Sequence, residues 1–148
     1  MLDFIRIACA VPAVRVGDTA KNAEDICAYI EKADGERADI VLFPELALTG
    51  YSCQDLFFQD ALWTGAQQGI RKIADCTKDH PNVTAAVGLP VWTGMRLYNC
   101  AAVISRGKIH ALVPKTYIPN YNEFYEKRWF ASGADFDTVQ MVNGVPMG

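Results

Sequence analysis

Two apolar runs separated by one amphipathic stretch open the chain, and that order limits the fold more than any other feature. Phe4 to Val11 is mostly apolar and reads as a buried strand. Pro12 to Gly17 reads as a loop. Asp18 or Thr19 can cap a helix running to about Ala33, with Ala23, Ile26, Cys27, Ile30 and Ala33 inward and Lys21, Glu24, Asp25, Glu31 and Lys32 outward. Asp34-Gly35 ends it. Ile40 to Phe43 predicts a second buried strand, stopped by Pro44. Strand, helix, strand is the opening of an α/β layer.

The pattern continues in kind. Gln59 to Thr77 predicts a helix with Leu62, Ile70, Ile73 and Ala74 inward, although Gly65 and Gly69 weaken it. Thr84 to Leu89 predicts a strand ended by Pro90. Leu97–Ile104 and Ile109–Val113 flank a hairpin turn at Ser105-Arg106-Gly107-Lys108. Glu123 to Phe130 predicts a short helix. Thr138 to Val142 predicts a strand before Asn143-Gly144, a strong hairpin signal whose partner strand would start at Val145. Since the sequence stops at Gly148, that hairpin is expected to lack its second arm and the natural protein to continue.

Composition narrows the function classes. The chain has 148 residues, 51% hydrophobic and 21% charged, with a net charge of −3, which suits one ordinary folded domain. Without a basic cluster, nucleic acid is a poor partner. No apolar run approaches the roughly 20 residues that span a bilayer, and Met1 to Arg6 lacks a leader's basic start, so a cytoplasmic location is expected. Cys9, Cys27, Cys53, Cys76 and Cys100 are odd in number with no CxxC spacing, so reduced, mostly buried thiols are expected rather than disulfides or a metal cluster.

A few residues are candidates for chemistry. Glu45 follows a strand and Pro44, beside Leu46, Ala47 and Leu48. Partial desolvation there would suit a general base, whereas an exposed loop glutamate is the plainer reading. Lys115 likewise follows Val113-Pro114. An ammonium at a strand end could stabilise an oxyanion, against the commoner solvated lysine. The run from Thr116 to Phe130 holds three Tyr, two Phe and one Trp among many charges. It reads equally as the wall of a small polar-ligand site or as a loop packed over the sheet edge. His80 and His110 are isolated and read as solvated or structural.

Taken together, Phe4–Val11, Ile40–Glu45, Gly88-Leu89-Pro90, Tyr98–Ile104, Gly107-Lys108-Ile109 and Pro114-Lys115 resemble, in order and spacing, the nitrilase (carbon–nitrogen hydrolase) superfamily. Leu48 to Phe57, Lys115 to Tyr121, and Glu123-Phe124-Tyr125-Glu126 resemble the glutaminase domain of glutamine-dependent NAD⁺ synthetases. The resemblance implies an α/β fold, the nitrilase-type four-layer α-β-β-α sandwich, with residues 1–148 as its N-terminal portion. It also implies a Glu-Lys-Cys triad that releases ammonia from L-glutamine. Glu45 would be the general base, Lys115 the oxyanion stabiliser, Glu123 a support for Lys115, and Tyr121 a contact to glutamine.

The family's cysteine follows the lysine. Cys53 and Cys100 both precede Lys115, so the nucleophile is expected outside this chain, which alone should be inactive. No metal or cofactor is implied for this portion. ATP and Mg²⁺ would serve an absent synthetase domain that amidates deamido-NAD⁺, and the whole is expected to be a homo-oligomer. Two alternatives stand beside this reading. One is a stand-alone amidase of the same superfamily acting on another small amide. The other is an inactive binding or assembly module.

Overall fold

The computed structural model describes residues 4–136 and 138–148. Met1-Leu2-Asp3, on which part of the argument against a leader rests, lies outside them. Strands β1 (Ile7–Cys9), β2 (Ile40–Leu42), β3 (Thr84–Trp92), β4 (Leu97–Ser105), β5 (Lys108–Pro114), β6 (Gln140–Val142) and β7 (Val145–Met147) form a single sheet in the order β1-β2-β3-β4-β5-β7-β6. β1, β2 and β3 are parallel. β3, β4 and β5 form an antiparallel meander. Helices α1 (Thr19–Gly35) and α2 (Asp60–Cys76) pack together on one face of the sheet.

Local sequence explains the helical layer. The Asp18 side chain accepts the Lys21 amide at 3.0 Å and so caps α1, whose Ala23, Ile26, Ile30 and Ala33 are buried against the sheet. Gly65 and Gly69, which weaken α2 as an isolated helix, are what allow its close approach. A methyl at Gly65 would collide with the Thr19 hydroxyl, and one at Gly69 would meet Leu48 at 2.9 Å. Tertiary packing therefore overrides their poor helix propensity.

Strand alternation divides the sheet into two unlike faces. Val41, Ala85, Val87, Ala102, Ile104 and Leu112 are buried under the helices. Their neighbours face the other way, and Ile7, Leu42 and Val113 are 55%, 41% and 47% exposed. The described residues thus supply one helical layer and one sheet layer of the expected sandwich.

Four local expectations need correction. β1 is a three-residue edge strand, not a buried one, and Phe4, Ile5 and Val11 are exposed. A continuous apolar run implies cover on both faces, whereas only Ala8 and Ala10 meet the core. Pro90 does not end β3. It lies past Ala86, where pairing with β2 has stopped, so no ladder bond is lost on that side. Glu123 to Phe130 is not a helix, and only Glu126–Arg128 makes a 3₁₀ turn. The C-terminal hairpin has its second arm, because β7 pairs with β6 and Met147 pairs with Leu112 of β5. Both hairpins turn on residues with positive φ, Arg106-Gly107 and Asn143-Gly144, the conformation that tight two-residue turns require.

Candidate active site

Glu45 owes its position to a tight turn at the end of β2. The Phe43 amide makes a last bond to Ala86 on β3, and Pro44 has no donor with which to continue. The chain then folds back, with the Ala47 amide bonded to Pro44 O at 3.1 Å and Leu46 in the left-handed region at φ 53°. Leu46, Ala47, Leu48 and Thr49 are buried. Asn22 of α1 anchors this turn by donating its side-chain amide to the Leu48 carbonyl at 3.1 Å. The Glu45 side chain itself is 42% exposed, more open than the expected partial desolvation.

Lys115 leaves the end of β5 in the same manner. Its amide is bonded to Asn99 O at 2.7 Å, and its carbonyl accepts the Gly133 amide at 2.8 Å. β5 runs in the same direction as β2, so both strands deliver their last residues to one edge of the sheet. Two strands lie between them, roughly 14 Å at the usual spacing. The turn after β2 and the length of the lysine close that gap, and Lys115 Nζ lies 2.8 Å from Glu45 Oε1. Asn99 on the intervening β4, itself 3% exposed, donates its amide to the same oxygen at 2.5 Å.

The second carboxylate on Lys115 is Glu126, not Glu123. Lys115 Nζ lies 3.0 Å from Glu126 Oε2 and 3.2 Å from Oε1. Glu126 is buried, and the Tyr51 hydroxyl donates to its Oε1 at 2.7 Å. Glu123 is exposed and has no hydrogen bond or ion pair to Lys115 among the described residues. The chain bends at Asn122, φ 51°, and turns again at Glu126–Arg128, which carries the later glutamate inward. Burial alone would lower the lysine's pKa. The hydrogen bonds and charges of Glu45 and Glu126 outweigh it and hold the ammonium above its ordinary value. Tyr51 is pushed upward by burial first and by its bond to Glu126 second.

Sequence reasoning thus placed Glu45 and Lys115 and missed Asn99, Tyr51 and Glu126. An asparagine inside an apolar strand, Tyr98-Asn99-Cys100, was the available signal for the first, since a buried amide needs a partner. Tyr121 is 63% exposed, with its ring edge-on to Phe124 at 5.8 Å. With Lys115, Tyr117, Pro119, Lys127 and Ser132 it lines an open depression of about 510 Å³. Cys53 is buried and its thiol donates to Thr49 O. Cys100 lies in the core under the helices, where burial pushes its thiol up to about 12. His80 pairs with Asp34 at 3.0 Å and His110 with Ser105 at 2.9 Å, both away from the Glu45–Lys115 pair. No group of three His, Cys, Asp or Glu side chains among the described residues could hold a metal, and no described helix is long and apolar enough to cross a membrane.

A mixed seven-stranded sheet covered on one face by two helices is the half-sandwich of a nitrilase-type α/β protein, with the Glu45–Lys115 pair at the ends of its strands. Residues 6–148 match the carbon-nitrogen hydrolase family, and the chain belongs to it. It is 40% identical over 150 residues to a glutamine-dependent NAD⁺ synthetase of Xylella fastidiosa (strain Temecula1), covering all of this chain and 27% of that protein. It is 36% identical over 130 residues to a glutamine-dependent NAD⁺ synthetase of Mycobacterium tuberculosis (strain ATCC 25618), covering 88% of this chain and 19% of that protein. The crystal structure of a glutamine-dependent NAD⁺ synthetase from Cytophaga hutchinsonii superposes with a TM-score of 0.87 at 30% identity, over 97% of this chain and 25% of that one. An amidase from Nesterenkonia sp. AN1 shares the fold, with a TM-score of 0.73 at 22% identity over 97% of this chain and 55% of that one. The chain spans about a quarter of the NAD⁺ synthetase from Xylella that it matches.

Proposed function

We propose that residues 1–148 belong to the glutaminase portion of a glutamine-dependent NAD⁺ synthetase and contribute two members of a Glu-Lys-Cys triad. The observation that carries this reading is the Glu45–Lys115 contact of 2.8 Å, made by residues 70 apart in sequence at the same edge of the sheet. Similarity to NAD⁺ synthetases over the whole chain supports the choice of glutamine as substrate. In this reading the nucleophilic cysteine comes from outside these residues, since Cys53 is buried and bonded to Thr49 O and Cys100 is buried in the core under the helices.

Glu45 takes the proton of that cysteine thiol, and the thiolate attacks the side-chain amide carbon of glutamine. Negative charge gathers on the amide oxygen, where the Lys115 ammonium stabilises it. The C–N bond then breaks. The nitrogen leaves as ammonia with the proton returned from Glu45, and a glutamyl thioester remains. Water, deprotonated by Glu45, hydrolyses the thioester to glutamate and restores the thiol. Glu126 holds the Lys115 ammonium, and Asn99 holds the Glu45 carboxylate. Tyr121 closes one side of the depression that would receive glutamine. Ammonia passes to an ATP- and Mg²⁺-dependent synthetase domain outside residues 1–148, which amidates deamido-NAD⁺.

Ammonia release from glutamine by the full-length protein tests the reading. Release is expected from the full-length protein and not from residues 1–148 alone. Release from the short chain that is abolished by Cys53→Ala or Cys100→Ala would overturn the placement of the nucleophile.

A further inference from the structure

The proposed chemistry gives Asp55 no task, yet its carboxylate gathers three donors from one neighbouring segment. Arg128 binds it in a fork, Nε to Oδ1 at 2.8 Å and Nη2 to Oδ2 at 2.7 Å, and the Trp129 indole donates to Oδ1 at 3.0 Å. Arg128 is the last residue of the turn that begins with Glu126, and Trp129 follows it directly. The same 51–58 segment reaches Glu126 at its other end through the Tyr51 hydroxyl. In the same segment Phe57, fully buried, packs on Trp129 and Phe130 with centroids 5.7 and 4.8 Å away.

An isolated exposed ion pair holds little in place. Here the fork fixes the direction of the guanidinium as well as its distance, and the aromatic contacts make the two segments one unit. The 51–58 segment is itself constrained. Gln54 adopts φ 49° and ψ −131°, a conformation that residues with a Cβ avoid and that persists only where the surroundings impose it. Gln54 stands between buried Cys53 and the clamped Asp55.

We propose that Asp55 is a positioning residue for the Glu45–Lys115 centre: by fixing Arg128 and Trp129 it sets the place of Glu126, and Glu126 sets the place of Lys115. The activity consequence rests on the glutaminase reading above. Asp55 does not line the depression beside Tyr121, so its loss acts on the chemical step and not on glutamine binding.

The test is Asp55→Asn in the full-length enzyme, which keeps the side chain's size and removes its charge. The glutamine-driven kcat is expected to fall about tenfold or more, because small misplacements of a catalytic group are costly. KM for glutamine and the ammonia-driven rate stay unchanged. Asp55→Glu restores part of the loss, and Asp55→Asn adds nothing in a Glu126→Gln background. An unchanged kcat, an equal fall with both nitrogen sources, or full additivity with Glu126→Gln overturns the proposal. If the wild-type enzyme releases no ammonia from glutamine, the glutaminase reading falls and amide hydrogen exchange still decides the clamp. Asp55→Asn then speeds exchange at Trp129 and Phe130, whose amides bond to Glu126 O, and unchanged exchange overturns it.

Discussion

Gly88 lies against the peptide of Glu45 so closely that a methyl group there would stand 3.0 Å from the Glu45 carbonyl carbon and 2.7 Å from the Pro44 oxygen. The obstructing atoms are backbone and cannot swing aside. Gly88→Ala is therefore expected to cost about 1–3 kcal/mol, the usual range for overpacking, and to move Glu45 off Lys115. Thermal unfolding of the variant, with glutamine hydrolysis measured beside it, should show both losses. An alanine variant as stable and active as wild type would mean that the turn after β2 tolerates displacement.

Glu126 and Glu123 should differ sharply. Removing one partner of a buried charged group leaves the other uncompensated, typically at several kcal/mol, and Glu126 is 2% exposed whereas Glu123 is exposed. Glu126→Gln keeps the shape and removes the charge beside Lys115. A loss of about 10² in glutamine-driven kcat is expected, of the size seen when an oxyanion-stabilising group is disturbed. Glu123→Gln should stay within a factor of about two, since surface changes far from such features have little effect. Steady-state kinetics of the two variants settles the assignment, and the reverse order of effects would contradict it.

Tyr121→Ala should leave folding nearly intact. The ring is 63% exposed, so little buried area is lost. A loss of about 1–3 kcal/mol in kcat/KM for glutamine is expected from the missing hydroxyl partner and wall. Thermal melting and kinetics measured together distinguish this from a structural role. Normal glutamine kinetics, or a variant that is merely unfolded, would remove the residue from the binding site.

The Asp55 clamp has a defined acid limit. Hydrogen bonds from Arg128 and then Trp129 hold the Asp55 carboxyl at about 2, below its ordinary 3.8. A carboxylate whose folded pKa is lowered adds stability above its unfolded pKa, and that stability is lost as pH falls through the folded value. The tie should thus weaken between about pH 4 and pH 2. Trp129 reports on it, because its indole donates to Asp55. A tryptophan fluorescence step in that window is expected in the wild type and absent from Asp55→Asn. The same step in both proteins would assign it elsewhere.

The positions of Glu45 and Lys115 were legible in the sequence because that signal is local: each stands just after an apolar strand and a proline, where the chain must leave the sheet, while the roles expected of them came from the family resemblance. Their partners were not, because nothing local joins them. Asn99 is 54 residues from Glu45 and Tyr51 is 75 from Glu126, and only the strand order brings them together. The choice of Glu123 over Glu126 failed for a related reason. Without a helix between 123 and 130, no periodicity says which glutamate turns inward. The α1–β2 opening, α2 and both hairpin turns were readable from capping, period and positive-φ residues. Cover was not: the same apolar run describes a buried strand and the exposed edge strand β1, because burial depends on what packs against it.

Glu45 is proposed as the base that activates the cysteine thiol in glutamine hydrolysis, and the nitrogen source tests that role most directly. In the full-length enzyme, Glu45→Gln should reduce glutamine-driven NAD⁺ synthesis by roughly 10²–10⁴-fold, the usual contribution of a general base. Ammonia-driven synthesis should be unchanged, since free ammonia bypasses this site. Equal loss with glutamine and with ammonia would contradict the account and leave Glu45 a structural residue.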